Sequence, residues 1–349
     1  MSLNAIQPSQ QQQLTYVELV HQNGEQHTLA MWLIMGEKCA FSSVGILFNA
    51  ILVGATVKSK NLRSMCNFLI ALDSAFLALY QLNALITLLL PIVGTNFVPI
   101  RLCFYLQLLP YFGVLMSTCL VFQIGLERLL NVLFPIWSKN GNSKRFHVIF
   151  LLLSAISNGY LMWLQYEMVD GNNSMVFCTA SSVSSLGGLF YTIAFNRAVI
   201  LHILLVVIYI AIFMILKFKK ENQHFSKSIF RSLLFLVFLE TIGWFPTVYL
   251  PQFLKFAQFS PITTTYISAG FSTVSSCVTA SANAPTLYYF NHLYRAKINA
   301  LLVSIGIKKS AGNAQQQQHI KPIALNVLAR NATIGPVGNR MNFETANWH

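Results

Sequence analysis

Residues 103–128 read CFYLQLLPYFGVLMSTCLVFQIGLER, an apolar run with a cysteine at one end and a Glu-Arg pair at the other. From Cys103 to Arg128 a helix rises about 37 Å, enough to cross a hydrocarbon core together with its interfaces. Six other apolar segments are also long enough to cross. The seven spans read as 39–57, 67–91, 102–128, 146–167, 189–216, 229–254 and 264–290. The first could extend outward through Met31 to Met35, past Glu37 and Lys38. Composition agrees: 55% of residues are apolar and 9% are charged, with a mean hydropathy of +0.56. Soluble domains carry about 25% charged residues to wet their surface. A soluble enzyme, a nucleic-acid binder and a disordered protein are thereby set aside. Long continuous runs favour helices over the alternating strands of a barrel. The predicted fold class is an all-α membrane protein, a seven-transmembrane helix bundle.

The net charge of +13 reports topology. The loops after spans one, three and five hold twelve Lys and Arg, and the C-terminal tail holds seven more. Only Lys38, Arg101, Arg197 and Lys255 lie toward the opposite face. Basic residues stay cytoplasmic, so the N-terminus is expected outside and the C-terminus inside. No signal peptide opens the chain, and span one is expected to act as the anchor. The chain divides into an outer disordered tail at 1–30, the bundle at 31–305 and a cytoplasmic disordered tail at 306–349. Each tail carries a glutamine tract, Gln10–Gln13 and Gln315–Gln318. Connections are too short for a soluble domain. Asn172-Asn173-Ser174 is a glycosylation sequon in the second outer loop, whereas that at Asn331 would face the cytosol. Of six cysteines, Cys103 and Cys178 fall at the oxidising face. Cys39, Cys66, Cys119 and Cys277 read as packing residues.

The outer cysteine and inner Glu127-Arg128-Leu129 on one helix resemble the third helix of rhodopsin-like G protein-coupled receptors. Further matches run through the chain in order. Gly45 and Asn49 resemble the intramembrane asparagine region of helix one. Leu62-Arg63-Ser64-Met65-Cys66-Asn67 is similar to the first inner loop, and Tyr209 sits at the inner end of span five. Trp244-Phe245-Pro246 is similar to the Trp-x-Pro of helix six, where proline removes a backbone bond and bends the helix. Asn283-Ala284-Pro285-Thr286-Leu287-Tyr288 resembles the Asn-Pro-x-x-Tyr region through Pro285 and Tyr288. Residues 291–304 then alternate basic and apolar positions, like a short amphipathic helix on the inner leaflet. The Leu-Arg-Ser-x-Cys-Asn run, the Glu-Arg-Leu form and the displaced asparagine most resemble the nematode serpentine chemoreceptors, class sx.

That resemblance implies a receptor with two partners, an extracellular small-molecule or peptide ligand and a heterotrimeric G protein, working in the lipid bilayer of the plasma membrane. It implies a Cys103–Cys178 bridge that pins the second outer loop. It implies a switch in which Glu127 holds Arg128 at rest and Arg128, freed, contacts the G protein, with Tyr209, Trp244, Pro246, Asn283, Pro285 and Tyr288 taking part. The ligand pocket is expected between the outer halves of spans three, five, six and seven. Its lining by helical position is Tyr111, Val114, Leu115, Trp244, Thr247, Val248, Val274 and Val278, a surface suited to a small lipophilic or volatile molecule or an apolar peptide end. Two departures stand out. Leu77 occupies the place where the superfamily usually has an aspartate, and the acid in span two is Asp73, a turn nearer the cytosol. Pro110 stands where amine receptors place an aspartate for the ligand ammonium, which disfavours a biogenic amine.

Ionisable groups within a span are expensive and often functional. Glu240 lies one turn before Trp244 and either biases the motion of helix six or is satisfied by neighbours such as Thr241. Asp73 has Asn49 or Asn283 within reach. Arg197 either meets an anionic or carbonyl-bearing ligand or snorkels to the outer interface. His202 reads as a bonded core residue. A small-solute transporter would show internal repeats and paired broken spans, and none is visible. A ligand-gated seven-span channel of the insect odorant-receptor kind would place the N-terminus inside, against the charge count. Gly270-Phe271-Ser272 faintly echoes an intramembrane protease turn, but no later span carries a histidine to act as base. Zinc spacings, paired catalytic carboxylates and phosphate loops are absent from the sequence, so no enzyme activity, no cofactor, no metal and no nucleic-acid partner are expected.

Overall fold

In the computed structural model, residues 24–59, 62, 64–95, 97–134, 142–179, 188–218, 277–304 and 306 are described, with isolated positions between 235 and 271. Five long helices come first: α1 Gly24–Lys58, α2 Met65–Ile92, α3 Ile100–Leu133, α4 Asn142–Val169 and α5 Gly188–Phe218. Each contains a stretch long and apolar enough to cross a membrane, from Trp32–Lys58 in α1 to Thr192–Ile215 in α5. The protein is therefore a multi-pass membrane protein, helical because a helix satisfies its own backbone where no water can. The inner end of the seventh expected span is the helix Asn283–Phe290, followed by a helix at His292–Ser304. The sixth expected span and the outer part of the seventh fall largely outside the described residues. Helix α1 begins at Gly24, inside the stretch read as outer tail. Once a span is nucleated, propagation adds residues such as Glu25 and Gln26 at little cost.

Local signals set the ends of α2. Ser64 caps its start, its side chain accepting the Asn67 N–H at 3.4 Å. Gly94 stops it in the left-handed region, and the Thr95 N–H returns to the Leu90 carbonyl at 3.0 Å. Helix α3 is central, packed against α2, α4 and α5, with buried residues on every side of it.

Two apolar cores lie along α3. The inner one gathers Leu52, Leu62, Leu69, Leu120, Leu205, Ile212 and Tyr294. The outer one gathers Val98, Ile100, Cys103, Phe104, Leu115, Leu161, Met162 and Cys178. Outward-facing side chains are also apolar, as a lipid-facing surface requires. Examples are Leu152, Ile156 and Trp163 on α4 and Ile203, Val207 and Ile210 on α5.

The loop between α4 and α5 is tied down in three ways. Cys103 and Cys178 form a disulfide, with their Cα atoms 5.3 Å apart. Strand β1 (Val98–Pro99) pairs antiparallel with β2 (Met175–Val176). The Thr87 hydroxyl donates to the Cys178 carbonyl at 3.2 Å. Closing a loop of 75 residues, the bridge removes unfolded-state entropy worth about 4 kcal/mol. Cys103→Ser and Cys178→Ser should each reduce surface delivery, and the double variant should be no worse than either single one. Surface immunolabelling against total protein reads this, and normal delivery of both single variants would count against a structural role for the bridge.

Candidate functional site

Asp73 is 2% exposed in the third turn of α2, and two other helices supply its partners. The Ser117 hydroxyl of α3 donates to Oδ1 at 2.6 Å. Asn283 Nδ2 donates to Oδ2 at 2.9 Å and lies 3.3 Å from the Ser74 hydroxyl. Of the two partners expected for Asp73, Asn283 is therefore the one bonded. Asn49 serves a second node, donating to the Ala280 carbonyl at 2.8 Å and to Gln81 Oε1 at 3.3 Å. Gln81 Nε2 in turn donates to the Ser281 hydroxyl at 2.9 Å. Gly45 makes this approach possible, because a Cβ there would strike Gln81 Nε2 and Ser281 Oγ. The position expected to hold the superfamily's acid is Leu77, buried and apolar.

The Glu-Arg pair lies at the inner end of α3. Glu127 is buried; its Oε1 accepts from Asn131 Nδ2 at 2.6 Å, and its Oε2 lies 3.8 Å from Arg128 Nε. About a quarter of the Arg128 side chain is exposed. The guanidinium also lies within electrostatic reach of the Cys66 thiol and of the buried Tyr209. The Tyr209 ring packs on Gly125, one turn before Arg128. Glu127, Arg128 and Tyr209 are thus brought together. Asn283, Pro285 and Tyr288 form a second group, on the helix Asn283–Phe290 at the inner end of the seventh expected span.

Tyr288 is bound to the helix that follows. Its hydroxyl donates to Asn299 Oδ1 at 3.3 Å, and its carbonyl accepts from Arg295 Nε at 3.0 Å. Asn291 Oδ1 caps that helix, accepting the N–H of Leu293 at 3.0 Å. The helix buries Tyr294 and Ile298 and leaves Arg295 exposed, which is the amphipathic pattern expected of residues 291–304. Burial pushes the Tyr294 phenol well above its usual pKa, so it stays neutral.

The pocket residues divide three ways. Tyr111 and Val114 are half-buried and Leu115 is buried, at the outer core. Val278 is 46% exposed and lies off the face on which Cys277, Ala280 and Ser281 make their bonds. Glu240, Trp244, Pro246, Thr247, Val248 and Val274 lie outside the described residues. Arg197 Nη1 donates to Ser157 Oγ of α4 at 3.4 Å, an exposed contact between α4 and α5. His202 Nδ1 donates to the Ala198 carbonyl at 2.8 Å within its own helix, the bonded state expected of it. Asn172 Oδ1 accepts the Ser174 N–H at 3.0 Å, so the sequon forms a turn.

The bonds of Gln81 and Ser117, and a tie of α3 to α4, had no sequence forecast. In that tie, Gln123 Nε2 donates to the His147 carbonyl at 2.8 Å and lies 3.2 Å from His147 Nδ1. The signal was available, since a carboxamide inside an apolar span must find a partner. Among the described residues no group of three or more His, Cys, Asp or Glu could hold a metal ion.

A family model described as serpentine type 7TM GPCR chemoreceptor Srsx matches residues 42–302. The chain belongs to that family. This serpentine chemoreceptor matches no curated protein at a significant level. The matched region takes in the Asp73 node, the Glu-Arg pair and the disulfide. The family is one of receptors, not of enzymes.

The Asp73 node predicts strong coupling between two helices distant in sequence. Asn283→Ala leaves Asp73 Oδ2 without its donor and should cost about 1–3 kcal/mol. Combined with Asp73→Ala it should cost about 1 kcal/mol less than the sum of the single changes. Thermal unfolding of the purified protein measures both, and strict additivity would deny the bond.

Proposed function

We propose that this serpentine chemoreceptor converts binding of an external chemical into activation of a heterotrimeric G protein at the plasma membrane. The single observation that carries the reading is the inner end of α3, where Arg128 sits between Glu127, Cys66 and Tyr209, inside the segment matched by a chemoreceptor family. A guanidinium beside a buried carboxylate has two places to go: inward to Glu127, or outward to an acceptor on a cytoplasmic partner. A ligand acts by preferring the second arrangement.

The working topology is seven spans with the N-terminus outside and the C-terminus inside, supported by the charge bias. Residues 1–30 and 306–349 are tails, residues 31–305 the receptor body, and the His292–Ser304 helix rests on the inner leaflet. Trp244 and Pro246 are the bend of helix six, biased by Glu240. Asn283, Pro285 and Tyr288 relay that motion to the inner face, where Arg128, assisted by Tyr209, leads contact with the G protein. The ligand enters beneath the second outer loop and meets Tyr111, Val114 and Leu115, together with Trp244, Thr247, Val248 and Val274. Asn172 carries the glycan.

Arg128→Ala should reach the cell surface at normal levels yet give no G protein response, read as second-messenger output per surface receptor. Full signalling by that variant would defeat the assignment. Tags at the two termini should show antibody access to the N-terminus on intact cells and to the C-terminus only after permeabilisation. An inside N-terminus would instead favour the inverted channel architecture.

A further inference from the structure

One stripe of α3, through Met116, Gln123 and Glu127, faces α4, since these positions repeat at helical spacing. Two bonds fix that face. Asn158 of α4 donates to the Met116 sulfur at 3.1 Å, and Gln123 Nε2 donates to the His147 carbonyl at 2.8 Å. Glu127 is as many residues inward of Met116 as His147 is inward of Asn158, so the antiparallel helices bring Glu127 and His147 to one level. Gln123, Glu127 and His147 are all buried, whereas Lys144 and Arg145, the neighbours of His147 in sequence, are exposed.

The His147 ring has a fixed sense. Gln123 Nε2 also lies 3.2 Å from His147 Nδ1. An atom that reaches a carbonyl is the nitrogen end of the amide, so Nδ1 accepts and the neutral ring carries its proton on Nε2. That N–H has no hydrogen-bond partner among the described residues, and neither has Glu127 Oε2. One is a donor and the other an acceptor, buried at one level of one seam. Side chains of a helix lean toward its N-terminus, which in α4 is the end beside Glu127. The carboxylate is within electrostatic reach of the ring.

On its other side, Oε2 meets Arg128. Asn131 takes Oε1 at 2.6 Å, which leaves Oε2 to be contested. Arg128 Nε is 3.8 Å away, beyond hydrogen-bond range, and is itself unmet. A carboxylate buried after its arginine has left would carry an uncompensated charge, a large penalty unless another donor takes the oxygen.

We propose that His147 is a positioning residue of the coupling switch, its Nε2–H competing with Arg128 for Oε2 of Glu127 and taking that oxygen when the arginine leaves. This rests on the receptor reading and adds to it the group that receives the carboxylate. The α3–α4 seam thereby lowers the cost of freeing Arg128.

The test uses the purified full-length protein in lipid nanodiscs. His147→Met removes the N–H, and His147→Gln keeps one at similar reach; His147→Phe replaces the Met change if that variant does not fold. With no G protein present, the Met change should lower the unfolding midpoint by about 2 °C more in Arg128→Ala than in wild type, because Oε2 there has no guanidinium to turn to. The Gln change should show no such difference. Equal costs of the Met change in the two backgrounds, or the same behaviour of Met and Gln, make His147 merely structural and overturn the proposal. With a purified heterotrimeric G protein, His147→Met should slow basal nucleotide exchange several-fold, yet have no effect once Glu127→Gln is in place. Where wild type promotes exchange, an unchanged rate, or an equal effect in the Glu127→Gln background, also overturns it. A wild type that promotes no exchange, with the midpoint difference present, sinks the receptor reading and leaves the His147–Glu127 pairing standing.

Discussion

A carboxyl group buried among apolar helices has to be met from inside, and Asp73 is met by Ser117 from α3 and by Asn283 from the last span. Lipid offers no alternative partner, so each such bond also fixes a helix rotation. Once Asn283 points at Asp73, Ala280 and Ser281 face Asn49 and Gln81, and Val278 is turned away from the interior. The same node joins the centre of the bundle to the segment that leads into the Tyr288–Asn299 contact.

The two ends of α3 carry different chemistry because their surroundings differ. At the outer end a covalent bridge, a two-stranded pairing and a threonine hydroxyl hold the loop over an apolar core. At the inner end the Arg128 Nε lies 3.8 Å from the Glu127 carboxylate. Glu127 is shared with Asn131, so its grip on the arginine is divided.

Much of this was legible in the chain. The five described spans fall where apolar run length put them, because length against bilayer thickness is a one-dimensional constraint. Cys103 and Cys178 could be paired through a family pattern, as could the placement of Glu127-Arg128. Asp73 was flagged as an expensive group, with its partner left between Asn49 and Asn283. Choosing between them needed the relative rotation of α1 and the last span, which no periodicity in the sequence states. The bonds of Gln81 and Gln123 depend likewise on helix rotation, which run length and motif order do not state.

The sequence by itself determined that this is a helical membrane protein of the serpentine chemoreceptor family, since composition, run length and ordered motifs are properties of the string. Only the tertiary structure decided which polar side chains meet. Hydrogen bonds act over about 3 Å, and whether two residues some 200 positions apart come that close depends on how helices rotate and pack. Asp73 with Asn283, and Asn49 with the Ala280 carbonyl, are outcomes of that packing.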